Sequence, residues 1–289
     1  MNDLRMIKIA LLLCCFLSAS ACNSLFYHPD NFKYGNPASL EYKFEEKMLL
    51  PKAGVSINTI RFHAVGNKKG TIVHFHGNAQ NMLAHLSFTY WLPELGYDLY
   101  IFDYQGFGKS SGKPFRQATI DDGKAILDEA IQNSENLPIF VIGQSLGASV
   151  SFTTLAQMNS EKICGLIFES GFASYRMIAR KKLANHWFSW ALQYPLSFLI
   201  SDELSPIDFV QNLDRPILFF HGTADKAVPY ETGIALYNAY KGTDKTWIEI
   251  PNAGHTPVFL NDSNPYQKMA LEFIESRSKK CMNKTTTEK

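Results

Sequence analysis

From about Glu41 onward the chain alternates short apolar runs with longer stretches of helical periodicity. The runs Thr71–Phe75, Tyr97–Phe102, Pro138–Ile142, Cys164–Phe168, Pro216–Phe220 and Lys245–Ile250 read as strands. Between them, Thr119 stands as an N-cap hydroxyl before Asp121 and Asp122, and Ile120, Ile126, Leu127, Ala130 and Ile131 then recur at helical spacing. Residues 79–95, 148–158, 230–240 and 266–276 read similarly as helices. Two earlier alternating segments, 41–50 and 55–65, look like an antiparallel opening of the sheet. Such alternation predicts an α/β fold: a mostly parallel, eight-stranded sheet with helices on both faces.

Two stretches break the rhythm. Residues 172–213 lack a clear strand and are aromatic, with Trp187, Phe188, Trp190, Tyr194, Phe198 and Leu199, and are expected to form a short helical cap inserted between two strands. An ordinary crossover helix with surface aromatics is the plainer alternative. The tail 279–289 has no apolar periodicity and is expected to be disordered.

The N-terminus carries a different signal. Arg5 and Lys8 precede the apolar run Ile9–Leu17, which gives way to the small residues Ser18–Ala21, the pattern of a secretory signal peptide over 1–21. The run is about half of the roughly 20 residues needed to span a bilayer. Leu17-Ser-Ala-Ser-Ala-Cys22 resembles the bacterial lipobox, with Ala19 replacing the more usual Leu. That resemblance makes Cys22 the site of lipid attachment, 22–40 a tether, and 41–278 the folded domain, anchored in the bacterial cell envelope. Asn23, where an Asp would favour inner-membrane retention, points to the outer membrane. Each buried acyl CH2 adds about 0.8 kcal/mol, so multiple acylation anchors stably.

Composition narrows the field. A chain of 289 residues with 46% hydrophobic content can fill one sizeable α/β core. The net charge of +1 supplies no field that would favour nucleic acid as a partner. Of five cysteines, Cys14 and Cys15 leave with the signal and Cys22 takes lipid, so Cys164 and Cys281 allow one bridge at most. Cys164 opens an apolar run and reads as a small buried hydrophobe. No Cys/His spacing suggests a metal, and no cofactor is expected.

The sharpest chemical signal is Gly143-Gln-Ser145-Leu-Gly147 between an apolar strand and a helix opening at Ala148. A serine on so tight a turn is forced toward strained backbone angles, and the flanking glycines leave room for the turn and its neighbours. A serine hydroxyl needs a base, and the base a partner that fixes its tautomer. Asp225 follows the strand 216–220 in His221-Gly-Thr-Ala-Asp225, and His255 follows the strand 245–250. Glu169, ending the strand after the elbow helix, competes with Asp225 as the acid. The oxyanion donors are expected to be the N–H groups of Leu146 and of Asn78 in His76-Gly-Asn-Ala79, each worth on the order of 3 kcal/mol. His76 is expected to be a structural hydrogen-bonder of that loop.

His76-Gly-Asn-Ala, Asp103-Tyr-Gln-Gly-Phe-Gly-Lys-Ser-Ser-Gly112, Gly-Gln-Ser-Leu-Gly, Glu169-Ser-Gly-Phe, His221-Gly-Thr-Ala-Asp and Ala-Gly-His255 together resemble the α/β-hydrolase superfamily. The Phe26-Tyr-His-Pro-Asp30 opening is similar to that of membrane-associated α/β-hydrolase-domain proteins, a group that includes acyl-protein thioesterases. The resemblance implies a serine hydrolase acting on a small-molecule or acyl-protein ester or thioester through an acyl-enzyme. Two other readings stay open: a peptidase using the same triad, with Asp202-Glu203 the one acidic pair in the cap, and a non-catalytic surface lipoprotein.

Overall fold

The computed structural model describes residues 26–184, 187, 189–260 and 264–287, with side chains as far as Met282. The expected signal peptide, Cys22 and Phe188 lie outside the described residues. The strands are β1 (His28–Pro29), β2 (Phe44–Lys52), β3 (Val55–Phe62), β4 (Gly70–Phe75), β5 (Ala79–Gln80), β6 (Tyr97–Phe102), β7 (Ile139–Gln144), β8 (Ile163–Glu169), β9 (Ile217–Gly222) and β10 (Lys245–Ile250). The helices are α1 (Met82–His85), α2 (Arg116–Gln132), α3 (Leu146–Leu155), α4 (Tyr175–Ala184), α5 (Gln193–Ser197), α6 (Tyr230–Ala239) and α7 (Pro265–Thr287), with short 3-10 turns between them.

Eight strands form the main sheet in the order β10-β9-β8-β7-β4-β6-β3-β2. β2 and β3 pair antiparallel, β3 joins β6 antiparallel, and the other pairings are parallel. Successive side chains on a strand face opposite sides, so each buried strand feeds two cores. In β7, Ile139 and Val141 pack with Leu127 of α2 and Phe152 of α3, whereas Phe140 and Ile142 pack with Phe273 and Ile274 of α7. Strand and helix order thus carries the C-terminal ends of β4, β7, β8, β9 and β10 to one edge of the sheet, where open parallel sheets bind ligands.

Four local expectations are corrected. Helix α2 starts at Arg116, with extended Phe115 before it, and the Thr119 hydroxyl donates 2.9 Å back to the Arg116 carbonyl instead of capping. Residues 79–95 do not form one helix. Ala79 and Gln80 pair with β1, Asn81 caps the single turn of α1, and Pro93 opens a separate 3-10 turn. Cys164 is no isolated hydrophobe, for it is disulfide-bonded to Cys281 across 117 residues. That bond pins α7 beside the start of β8, and the helix runs on to Thr287 through the stretch expected to be disordered.

Between β8 and β9 the chain forms α4, a 3-10 turn at Trp190–Leu192, α5, and a 3-10 turn at Pro206–Phe209. Asp202 closes this insertion. Its carboxylate accepts the Ser174 and Ser205 hydroxyls, each at 2.7 Å, and the Arg176 N–H at 3.0 Å, which satisfies the first turn of α4.

Candidate active site

Ser145 sits between β7 and α3 with φ 56° and ψ −121°, a conformation that costs any residue bearing a Cβ about 1–3 kcal/mol. The turn persists because its surroundings leave no alternative. The Ser145 N–H donates to the Glu169 carbonyl at 2.8 Å, which ties the elbow to the end of β8. A Cβ on Gly147 would lie 2.1 Å from the Phe75 carbonyl oxygen, and one on Gly143 would lie 2.6 Å from Ala148 Cα. Both positions therefore require glycine for the packing of β7, β4 and α3.

Asp225 and His255 meet across the ends of β9 and β10, with His255 Nδ1–H donating to Asp225 Oδ2 at 2.7 Å. Asp225 Oδ1 accepts the Ala227 and Val228 N–H groups, both at 2.9 Å, so the carboxylate cannot rotate away. Its side chain is fully buried and that of His255 is 29% exposed. Burial alone would raise the Asp225 carboxyl, but the hydrogen bond and charge of His255, with the Val228 N–H, hold it below its ordinary value. A layer behind, His221 donates from Nε2 to the Val228 carbonyl at 2.9 Å and braces the aspartate loop. Burial lowers the His221 pKa, which keeps this imidazole neutral.

The Ser145 hydroxyl makes no hydrogen bond to His255 among the described residues. Such a bond commonly tightens only once substrate is held. Close above the serine runs the loop after β4, where a Cβ on Gly77 would stand 3.7 Å from Ser145 Cβ. Leu146 is the first residue of α3, so its N–H has no intrahelical acceptor. The Asn78 N–H likewise donates no backbone hydrogen bond among the described residues, while the Asn78 carbonyl accepts the His28 N–H at 2.7 Å. His85 Nε2 donates to the Ala79 carbonyl at 3.1 Å, and His76 Nδ1 contacts its own loop at the Gly77 carbonyl at 2.8 Å. Burial pushes the pKa of both histidines down.

Glu169 does not reach the imidazole. Its Oε1 accepts the Val258 N–H and its Oε2 the Gln144 side-chain amide, both at 2.7 Å, and Gln144 Oε1 contacts His74 Nε2 at 2.8 Å. The next residue, Ser170, accepts the Thr256 N–H on its hydroxyl at 3.2 Å. In the sequence Glu169 reads only as a competing acid, and its relay to the histidine loop and the brace at His221 are missed. The available signal was a carboxylate and a histidine placed inside otherwise apolar strand runs, where charge is tolerated only when paired.

A serine at a glycine-flanked strand-to-helix turn, with an Asp–His pair at later strand ends of a mostly parallel sheet, defines an α/β hydrolase. Comparison with known proteins agrees. Residues 66–202 match a family model described as "Serine aminopeptidase, S33". "Uncharacterized protein YfhR" of Salmonella typhimurium is 31% identical over 284 residues, spanning 93% of this chain and 94% of that protein. The Arabidopsis thaliana "Alpha/beta hydrolase domain-containing protein WAV2" is 29% identical over 251 residues, or 83% of this chain and 81% of that one. Among solved structures, a Pyrococcus furiosus esterase superposes with a TM-score of 0.71 at 20% identity, covering 88% of this chain and 98% of that one, a likeness of fold. The chain belongs to the α/β-hydrolase family of these relatives.

Proposed function

We propose that the chain is an exported, lipid-anchored serine hydrolase that cleaves carboxylic esters or thioesters of an apolar acyl group. The observation that carries this reading is the 2.7 Å pair of Asp225 and His255 standing over the strand edge that also presents the strained Ser145. Ser145 Oγ attacks the acyl carbonyl while its proton passes to His255 Nε2, and the developing oxyanion takes the N–H groups of Leu146 and Asn78. The imidazolium that forms keeps its Nδ1–H on Asp225, then returns the proton to the leaving alcohol or thiol. Water repeats the steps on the acyl-enzyme, and the acid and free serine result.

Export is supported by the Cys164–Cys281 disulfide, a bond that persists in oxidising compartments. Together with Arg5, Lys8 and the apolar run before Cys22, it favours passage across the inner membrane and acylation at Cys22. A peptidase reading is favoured by the description of the matching family model. Against it, the Asp202 carboxylate that would receive a peptide's amino terminus is occupied in capping α4.

A fluorophosphonate probe should label the wild type and leave Ser145→Ala unlabelled. In a p-nitrophenyl ester series, turnover should persist beyond butyryl. Activity confined to acetyl would remove the apolar acyl group from this reading, and turnover of peptide amides above esters would hand the site to the peptidase.

A further inference from the structure

The insertion between β8 and β9 turns its large apolar side chains outward. Trp187, Trp190, Leu192, Tyr194, Phe198 and Leu199 are each at least half exposed, Trp187 at 91%. Six large apolar side chains exposed on one short insertion mark an interaction surface.

The cations beside the patch select the partner. Arg176 lies over the Phe198 ring at 5.3 Å and Arg180 over the Tyr194 ring at 4.5 Å, so both guanidinium groups sit along the aromatic face. Lys181, 3.6 Å from Glu231 of α6, and exposed Lys182 follow on the same helix. Residues 176–199 themselves contain no Asp or Glu, and the acids near these cations are Asp202 and Asp208 beside Arg176 and Glu231 beside Lys181, which leaves Arg180 and Lys182 with no ion pair among the described residues. Trp, Tyr and Leu bordered by Arg and Lys form the composition that seats at the headgroup level of an anionic bilayer.

The path of the chain points the same way. Phe26 packs edge-on against Tyr175, the first residue of α4, at 5.0 Å between ring centroids, and Arg116 stacks 3.9 Å over Tyr175. Cys22 stands four positions before Phe26, so at most about 14 Å of chain separates it from this contact. A lipid on Cys22 would therefore bring the bilayer to the root of the same insertion.

We infer that the exposed side chains of Trp187, Trp190, Leu192, Tyr194, Phe198 and Leu199, with the cations of α4, dock on an anionic lipid surface beside the anchor and present the site to acyl substrates carried by that membrane. The inference rests on the proposed anchor for the orientation of the chain.

The test uses the acylated full-length protein reconstituted in vesicles of brominated phosphatidylcholine, with and without phosphatidylglycerol. Bromine quenching of tryptophan emission should be several-fold greater for the wild type than for Trp187→Phe/Trp190→Phe. Lys181→Glu/Lys182→Glu should reduce it on the anionic vesicles and leave it unchanged on the neutral ones. Thermal melting of each variant reports that it is folded. Equal quenching of wild type and the double Phe variant, in protein that floats with the vesicles, would overturn the docking face and leave the anchor intact. A chain that fails to float with either vesicle would overturn both, and Cys22→Ser isolates the anchor's own share of binding. Quenching that is absent while sedimentation shows a dimer would assign the patch to a second copy and overturn the inference.

Discussion

Glu169 accepts the Val258 N–H at 2.7 Å, three residues past His255, and so holds the histidine loop with no hydrogen bond to the imidazole. The same residue's carbonyl receives the Ser145 N–H at 2.8 Å, and neighbouring Ser170 receives the Thr256 N–H. One strand end thereby brackets the elbow and the His255 loop together. β8 fixes the relative position of two groups that lie 110 residues apart in sequence.

This bracket is sensitive to pH. Burial raises the Glu169 carboxyl from 4.5 to about 7, yet both of its oxygens already accept donors, so only the ionised form makes both bonds. As pH falls through about 7 the added proton faces an N–H and one bond is lost. kcat should therefore decline through this window, with KM little changed. Glu169→Gln places an amide NH2 where an acceptor is needed, and should lower kcat on the order of 10-fold above this window, with the gap to the wild type closing below it. Stability runs the opposite way: the folded state binds this proton more tightly than the unfolded state, so unfolding free energy falls as pH rises from 4.5 to about 7. Denaturant titrations across the window should show that loss in the wild type and lack it in Glu169→Gln. A variant with the wild-type rate and pH profile would strip Glu169 of its positioning role.

The strain at Ser145 gives a separable test. At φ 56° and ψ −121° a glycine is at ease where a serine is not, and among the described residues the serine hydroxyl makes no hydrogen bond whose loss would offset the gain. Ser145→Gly should abolish hydrolysis and stabilise the fold by about 1–2 kcal/mol, roughly 3–6 °C in Tm. Ser145→Ala keeps the Cβ and should be equally inactive without that gain. Calorimetry that finds no difference between the two variants would remove the claim that the turn stores strain.

Much of this architecture was legible in the sequence because it rests on local patterns. The runs at 97–102 and 245–250 coincide with β6 and β10: β6 is a fully buried, mostly apolar run, and in the edge strand β10 Trp247, Ile248 and Ile250 mark the run between polar turns. Ser145, Asp225 and His255 could be placed after their strands from spacing alone. What escaped depends on distant partners. Ala79 and Gln80 are extended where β1 pairs with them, and α7 continues past Lys279, where Cys281 is bonded to Cys164. Thr119 looks like a cap until the helix is seen to begin a turn earlier. Glu169 reads in the sequence as a competing acid, because its grip on Val258 depends on where the histidine loop folds.

The disulfide should have a measurable share in stability. Closing a loop of 117 residues constrains the unfolded chain by about 4–5 kcal/mol in the entropic account. Cys164→Ser/Cys281→Ser should lower Tm accordingly, and reductant should do the same to the wild type and nothing to the variant. With α7 released, trypsin should cut first at Lys279 and Lys280. A variant as resistant to trypsin as the oxidised protein would show that packing alone holds the last turns.

Asp225 and Glu169 can also be told apart by chemistry. A residue that fixes the imidazole tautomer must accept the Nδ1–H directly and stay ionised as the imidazolium forms. Asp225 meets both conditions, with Oδ2 at 2.7 Å from Nδ1 and a carboxyl held below its ordinary pKa. Glu169 meets neither, having both oxygens committed elsewhere and a carboxyl raised to about 7. Asp225→Asn leaves the shape intact but presents an amide to the ring, which favours the wrong tautomer, so kcat should drop on the order of 10^3 to 10^4-fold. The loss from Glu169→Gln should be smaller by about two orders of magnitude, because a loosened loop still samples the working geometry. Steady-state ester hydrolysis of the two variants at one alkaline pH gives the comparison. The reverse order of losses would transfer the acid's role to Glu169 and require the histidine loop to refold around it.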